Sequence, residues 1–398
     1  MKKIFAMAIV FFFSLFFLNG KEISAQDIFK IETLEGKVVK EVEAGKESVN
    51  DQLVDFQLLE IELTRGEKNG QTVQVKNSAV ETGYGNSQYQ KYQTGDNLKI
   101  IAQEDSEGGF HYSIDGRVRR IALYQLFVIF VVVVLLVGRF WGVLSLLGLG
   151  LSFLVIFKIT LPMIIKGYDP VWSAIFGSAI IIPSTFYISH GFNKKTHVGV
   201  IATLLSLVAT GLLASYFTAR THLTGLATEE AGFLQVEKGG LIDIKSLLLA
   251  GIIIGVLGIL DDVTIGQASV AQQIKEATSK ITFWELFKKS MKVGQDHISS
   301  MVNTLVLVYS GSALPLLLLF FDSQKTIVDV IELEVIAEEI VKMLTGSIGL
   351  VIAAPLATFL AAYVFSQEKS QNARPVKLAK RNDQIGCNSA ENQTSLQN

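Results

Sequence analysis

Seven long apolar segments dominate the chain between Ile121 and Phe365, near Ile121–Val137, Trp141–Ile165, Val171–Ser189, His197–Phe217, Leu247–Asp262 or beyond, Ser300–Phe321 and Val341–Phe365. About 20 apolar residues in a helix cover the ~30 Å hydrocarbon core of a bilayer. The expected fold class is therefore a polytopic α-helical membrane protein of about 7–8 spans. Composition agrees: of 398 residues, 49% are hydrophobic and only 18% charged, less charge than a soluble chain of this size carries. The net charge of -2 argues against a nucleic-acid partner. A single cysteine, Cys387, permits neither an intrachain disulfide nor a cysteine metal site.

Four regions are expected. Residues 1–25 read as a signal peptide or N-terminal anchor: Lys2 and Lys3, then an apolar core from Ile4 to Leu18, then the weak cleavage site Ile23-Ser24-Ala25. Residues 26–120 read as a small extracytoplasmic β-rich domain. Val54 to Leu63 alternates apolar and polar, with a slip at Leu58-Leu59 that suggests a bulge. Gln71–Asn77, Leu98–Gln103 and Phe110–Asp115 are further strands, with turns at Gly66–Gly70 and Gly95-Asp96. Short strands with such turns fit a small barrel of OB or SH3-like kind, and Gly83–Tyr92 looks like an exposed loop. Residues 121–365 form the seven-span domain, and 366–398 a cytoplasmic, disordered tail.

Orientation follows from basic residues in short loops. Lys194, Lys195, Lys275, Lys280, Lys288, Lys289, Lys292, Lys369, Arg374, Lys377, Lys380 and Arg381 fall on one side. That puts the C-terminus in the cytoplasm and the β domain outside, in a bacterial cytoplasmic membrane. Arg117, Arg119 and Arg120 break the rule, and are expected to contact lipid phosphates or the β domain. Pro162, Pro183, Pro315 and Pro355 fall inside expected spans, where proline bends a helix. Ile274, Ala277, Ile281, Trp284, Phe287 and Met291 recur at helical spacing, as in a helix lying on the inner leaflet or packed on the bundle. Thr326 to Val341 reads as one apolar-acidic outer helix.

The fifth segment carries the strongest chemical signal. Its uninterrupted run, Leu247 to Leu260, covers roughly 21 Å, too little for a bilayer. A continuing helix places Asp261 and Asp262 within the membrane, where ionisable side chains are costly and functional. A span starting nearer Ile242 would instead leave both in interfacial water, and the two readings stand side by side here. In the next segment Asp296, Ser299, Ser300, Asn303 and Ser310 approximate one stripe, expected to face the bundle interior, with His297 at its start. Asp296 could equally cap this helix. Asp261, Asp262, Asp296 and His297 are the candidate ion- or proton-binding residues, with Gln267, Asn303 and Ser310 as supporting polar groups. Oxygen ligands could hold a cation, and paired acids with an imidazole could relay protons. Tyr168-Asp169-Pro170 reads as a turn whose Asp169 caps the next helix.

The segments GYDP (Gly167–Pro170), GFNKKT (Gly191–Thr196), GVLGILDDVTIGQAS (Gly255–Ser269), VGQDHI (Val293–Ile298), NTLVLVYSG (Asn303–Gly311), LPLLLLF (Leu314–Phe320), EEI (Glu338–Ile340) and LTGSIGL (Leu344–Leu350) resemble the YibE/F-like bacterial membrane proteins. The resemblance covers roughly Tyr124 to Phe365. It implies a multi-span cytoplasmic-membrane protein without an established activity, and draws attention to Asp261, Asp262, Gln267, Asp296 and His297. Gln295 departs from the basic residue more usual there. No P-loop, HExxH or GxSxG motif is present, so neither an enzyme nor a cofactor is expected. The expected function is transport of a solute coupled to a cation or proton. The alternative is a membrane scaffold whose β domain binds an envelope partner. Membrane lipids are the other expected partner.

Overall fold

The computed structural model describes residues 31–49, 52–66, 68–78, 90–104, 109–278, 280–321 and 326–367. The expectations for the N-terminal segment, for residues 83–89 of the exposed loop, for Cys387 and for the tail beyond residue 367 lie outside them, while Tyr92 at the end of that expected exposed loop is buried in the sheet's core. The chain divides into two compact units at Leu146/Leu147.

The first unit holds a five-stranded antiparallel sheet. Its strands are β1 (Ile31–Val49), β2 (Gln52–Arg65), β3 (Thr72–Ser78), β4 (Asn97–Glu104) and β5 (Phe110–Arg117), in the order β3-β2-β1-β4-β5. β3 and β5, the two edges, approach each other without pairing, so the sheet curls into a partly open barrel. Inside it lie Leu34, Val38, Leu59, Ile61, Leu63, Val75, Leu98, Ile100 and Ala102. Four strands fall where alternation places them; β1 was not expected. Its inward set is Leu34, Gly36 and Val38, and a Cβ at Gly36 would collide with Ile61. The glycine lets β1 approach and hides the alternation. The slip at Leu58-Leu59 faces a register shift between Glu41 and Glu43 on β1. The bulge thus lies on the partner strand, and Gln57 turns inward.

Gln57 is fully buried, and its amide does the work of a strand partner. Its Oε1 accepts from Tyr92 N at 2.9 Å and its Nε2 donates to Tyr92 O at 3.1 Å. Asn77 Nδ2 donates to Gln90 O at 2.9 Å. The returning end of the β3–β4 connection is thereby held at two main-chain positions, and neither of these two buried amides is stranded.

Two of the three rule-breaking arginines contact the sheet. Arg117 reaches Asp96 at 3.1 Å and the Lys91 carbonyl at 3.1 Å. Arg120 grips both oxygens of Glu35, which Arg65 also approaches at 3.3 Å. The Arg120 hydrogen bonds, then the charges of Arg120 and Arg65, hold the Glu35 carboxyl below its ordinary value despite partial desolvation. A depressed folded-state value contributes stability above the unfolded value, lost as pH falls through the folded one. Hydrogen exchange of β1 and β4, corrected for its intrinsic pH dependence, should therefore show acid-induced loosening below about pH 4. Glu35→Gln should lack that component, and an unchanged acid profile in the variant would refute the tie.

The helices are α1 (Arg120–Val155), a π turn (Ile156–Thr160), α2 (Leu161–Ile165), α3 (Pro170–His190), α4 (Lys194–Arg220), α5 (Glu229–Glu237), α6 (Ile244–Ala277), α7 (Phe283–Ser312), α8 (Leu314–Phe321), α9 (Ile327–Ile331) and α10 (Glu334–Ser366). Among the described residues, five helical stretches are long and apolar enough to cross a membrane, or six if α7 and α8, bent by 68°, form one. The first stretch, Arg120–Ile165, is broken at Arg139, whose φ is 50°. A Cβ at Gly142 would collide with the Val134 carbonyl. Residues eight apart lie about 12 Å apart along a straight helix, so the chain turns sharply here. The expected segments Ile121–Val137 and Trp141–Ile165 fall on either side of that turn.

In the second unit α6 packs against α3, α4 and α10, and α7 lies on α10 and α6. Small residues allow close approach: Gly349 of α10 leaves no room for a Cβ beside Thr210 of α4, and Gly177 of α3 none beside Thr160. Asp169 caps α3 as expected, accepting from Trp172 N at 3.0 Å.

Two expectations are corrected. No separate surface helix spans Ile274–Met291: α6 continues to Ala277, and α7 begins at Phe283 under a Thr282–Glu285 capping box. Ile281 and Leu286 pack with Ala361, Ala362 and Phe365 instead, because the bundle offers an apolar seat. The outer Thr326–Val341 helix divides into α9 and the start of α10. The four prolines all fall inside candidate spans, as expected, Pro183 and Pro355 within continuous long helices. Pro162 opens α2 after the π turn, and Pro315 follows the bend into α8.

Candidate functional site

Asp261 and Asp262 sit in the interior of α6, about 26 Å along the helix from Ile244 at ~1.5 Å per residue. The helix runs on to Ala277, so the acids do not mark its end. Leu260 and Val263 beside them are fully buried. Asp261 turns toward that core. Its Oδ1 is buried and has no hydrogen-bond partner among the described residues. Such an atom forfeits its hydration without compensation.

Asp262 points the other way and is exposed. It continues a strip of exposed glycines, Gly251, Gly255 and Gly258, at the spacing of one helix face. Side chains at Gly251 and Gly258 would meet nothing within 4 Å, and at Gly255 only the Tyr309 hydroxyl at 4.0 Å. The strip is a smooth track that ends at a carboxylate. Two imidazoles lie within electrostatic reach of Asp262: His297 of α7 and His190 at the end of α3.

His297 thus joins the acid pair as expected, while Asp296 is not among the charges facing it. Asp296, Ser299, Ser300 and Asn303 are all exposed, and Ser310 is half-buried. The expected inward stripe is therefore corrected. α7 turns Leu286, Ser290, Gly294 and Leu305 toward the bundle, because the glycine permits close approach to α6, and the polar stripe is left outside. Nor does Asp296 cap a helix, since α7 begins well before it.

Gln267 is buried, accepts from Thr358 Oγ1 at 2.9 Å and lies over Gly294, where a Cβ would come 2.6 Å from its Nε2. It locks α6, α7 and α10 together one and a half turns beyond the acids. Three residues before Gln267, Thr264 shares a 2.6 Å hydrogen bond with Thr203 between α6 and α4. These bonds fix the rotation of α6, and with it the directions of Asp261 and Asp262. His190 escaped the sequence reading. The available signal was its position, a histidine closing an apolar span one residue before the GFNKKT segment.

Chemically, the site pairs a half-buried acid with an exposed acid that has two imidazoles within electrostatic reach. Among the described residues no three His, Cys, Asp or Glu side chains gather to hold a metal. The arrangement suits proton exchange: neighbouring carboxylates favour retaining a proton on one of them, and imidazoles titrate near neutrality.

A family model described as YibE/F-like protein matches residues 126–367, which contain every residue of this site. None of the curated proteins and none of the solved structures matches the chain significantly.

Proposed function

We propose that this chain, which belongs to the YibE/F-like family, is a transporter that couples movement of a solute to protonation of Asp261 and Asp262. The supporting observation is the acid pair in mid-helix, one half-buried with its Oδ1 buried and unpartnered among the described residues, the other open to a glycine track. A purely structural acid would be expected to have its oxygens satisfied. His190 and His297 would deliver or accept the proton at Asp262. In this reading the helices cross the cytoplasmic membrane seven times, because the turn at Arg139 makes two spans of Arg120–Ile165 and α7 with α8 makes one. The β-sheet then lies outside, and the basic loops inside.

The test is thermal unfolding of the detergent-purified protein across pH and a panel of cations, for wild type and the Asp261→Asn, Asp262→Asn double variant. A ligand that binds only the folded state raises its apparent stability. A pH-dependent shift in wild type that disappears in the variant supports the reading. A shift with one cation would transfer the same site to that ion. No shift in wild type, with a variant that is merely less stable, would sink the reading. It would favour a scaffold instead, for which the exposed polar stripe on α7 offers a seat for another membrane helix.

A further inference from the structure

A buried carboxyl lies in the same bundle, at the Glu334 end of α10. Glu338 is 3% exposed, and its Oε1 has no hydrogen-bond partner among the described residues. Its Oε2 lies 3.8 Å from Lys342 Nζ, but Lys342 is bonded more closely to Glu339, at 2.8 Å. The groups facing Glu338 are Lys342, Glu334, Glu339 and the Ala227 backbone amide. Glu334 is already committed. It accepts from Thr224 N, from Thr224 Oγ1 at 2.7 Å and from Gly225 N at 3.3 Å, and so fastens the loop after α4. Two carboxylates, Glu338 and Glu339, thus share one ammonium, and Glu338, which the Ala227 backbone amide also faces, is the more distant of the two, with its Oε1 left unpartnered among the described residues.

We propose that Glu338 is a second proton-binding site, exchanging its proton as Lys342 moves between Glu339 and Glu338. With Glu338 neutral, Lys342 stays on Glu339, the geometry seen here. When Glu338 releases its proton, the buried carboxylate draws the ammonium across from Glu339, about one ångström nearer than it stands now. The amino group keeps its charge throughout, and one proton leaves the carboxyl.

Position links this site to the acid pair. Gly346 packs on Val256 and Thr358 bonds Gln267, which sets the register of α10 on α6. In that register Glu338 lies about 20 Å from Asp261 along the helices, at ~1.5 Å per residue. Between them stands Tyr309 of α7, within electrostatic reach of Glu339 and Lys342, its hydroxyl beside Gly255 on the track that ends at Asp262. The two sites occupy opposite ends of one line. The inference extends the proton-coupled reading, but its test does not depend on the acid pair.

The experiment is infrared difference spectroscopy of the purified full-length protein across pH, in the Asp261→Asn, Asp262→Asn background. A carbonyl stretch of a protonated carboxylic acid should remain, titrate with pH, and vanish on adding Glu338→Gln. Lys342→Gln, which keeps the glutamate, should move that titration up by about one pH unit or more, because the ionised form loses its cation. The second variant keeps the test decisive should Glu338→Gln fail to fold. No titrating carboxyl band in the double-Asn background, or a band indifferent to both substitutions, would overturn the proposal. A wild-type spectrum with no titrating band that the Asp261→Asn, Asp262→Asn substitutions remove would strike at the earlier reading and leave this one standing.

Discussion

Asp261→Leu should unfold at a higher temperature than the wild type and yet be inactive. The half-buried carboxyl it removes sits in α6 beside the buried Leu260 and Val263, with Oδ1 buried and unpartnered among the described residues. Replacing an unsatisfied buried polar group with an apolar one of similar size removes a penalty of about 1–3 kcal/mol. The apolar neighbours provide a seat for the leucine, with a smaller cost for imperfect fit. A gain in stability together with loss of function marks a site kept for its chemistry at the expense of packing. Thermal midpoints in one detergent, paired with the pH-dependent shift described above, would decide the matter. A variant less stable than wild type would show that Asp261 holds the bundle together, and would weaken the transport reading.

The second large effect belongs to Gly294. A Cβ there would stand 2.6 Å from Gln267 Nε2 and 2.9 Å from its Cδ. Gly294→Val must therefore drive the Gln267 amide off Thr358, or push α7 away from α6. Overpacking costs about 1–3 kcal/mol, and stranding the buried Gln267 and Thr358 groups adds roughly 1–3 kcal/mol more. The expected outcome is a protein that inserts but unfolds far more readily, with His297 displaced from Asp262. Gly294→Ala should be milder. Gln267→Ala in the Gly294→Val background should recover part of the loss, since it clears the space. Absence of any such recovery would mean that the damage comes from the backbone of α7 and not from the clash.

The sequence and the structure agree where a pattern depends on one element alone. Apolar length locates the bundle helices, Asp169 before Pro170 locates a cap, and a run too short to end at Leu260 puts the acids in mid-helix. They part where a neighbour decides. The face that α7 buries depends on Gly294 meeting Gln267, a contact between residues distant in sequence, so a polar stripe alone points the wrong way. β1 was invisible because its central inward residue is Gly36, which carries no side chain to alternate. His190 matters only because α3 ends beside α6. The start of α7 is different: Thr282-Phe283-Trp284-Glu285 is a capping-box signature, legible in the sequence and passed over in favour of Asp296.

The clasp of Gln57 on Tyr92 makes one side chain a joint between β2 and the main chain that returns toward β4. A side chain performs there the pairing that a sixth strand would otherwise supply, and Asn77 secures Gln90 beside it. The connection that leaves β3 at Ser78 and returns at Gln90 therefore begins and ends on fixed points. An epitope inserted between Ser78 and Gln90 would thus be flanked by two anchored positions, a convenient report of which side of the membrane the sheet occupies.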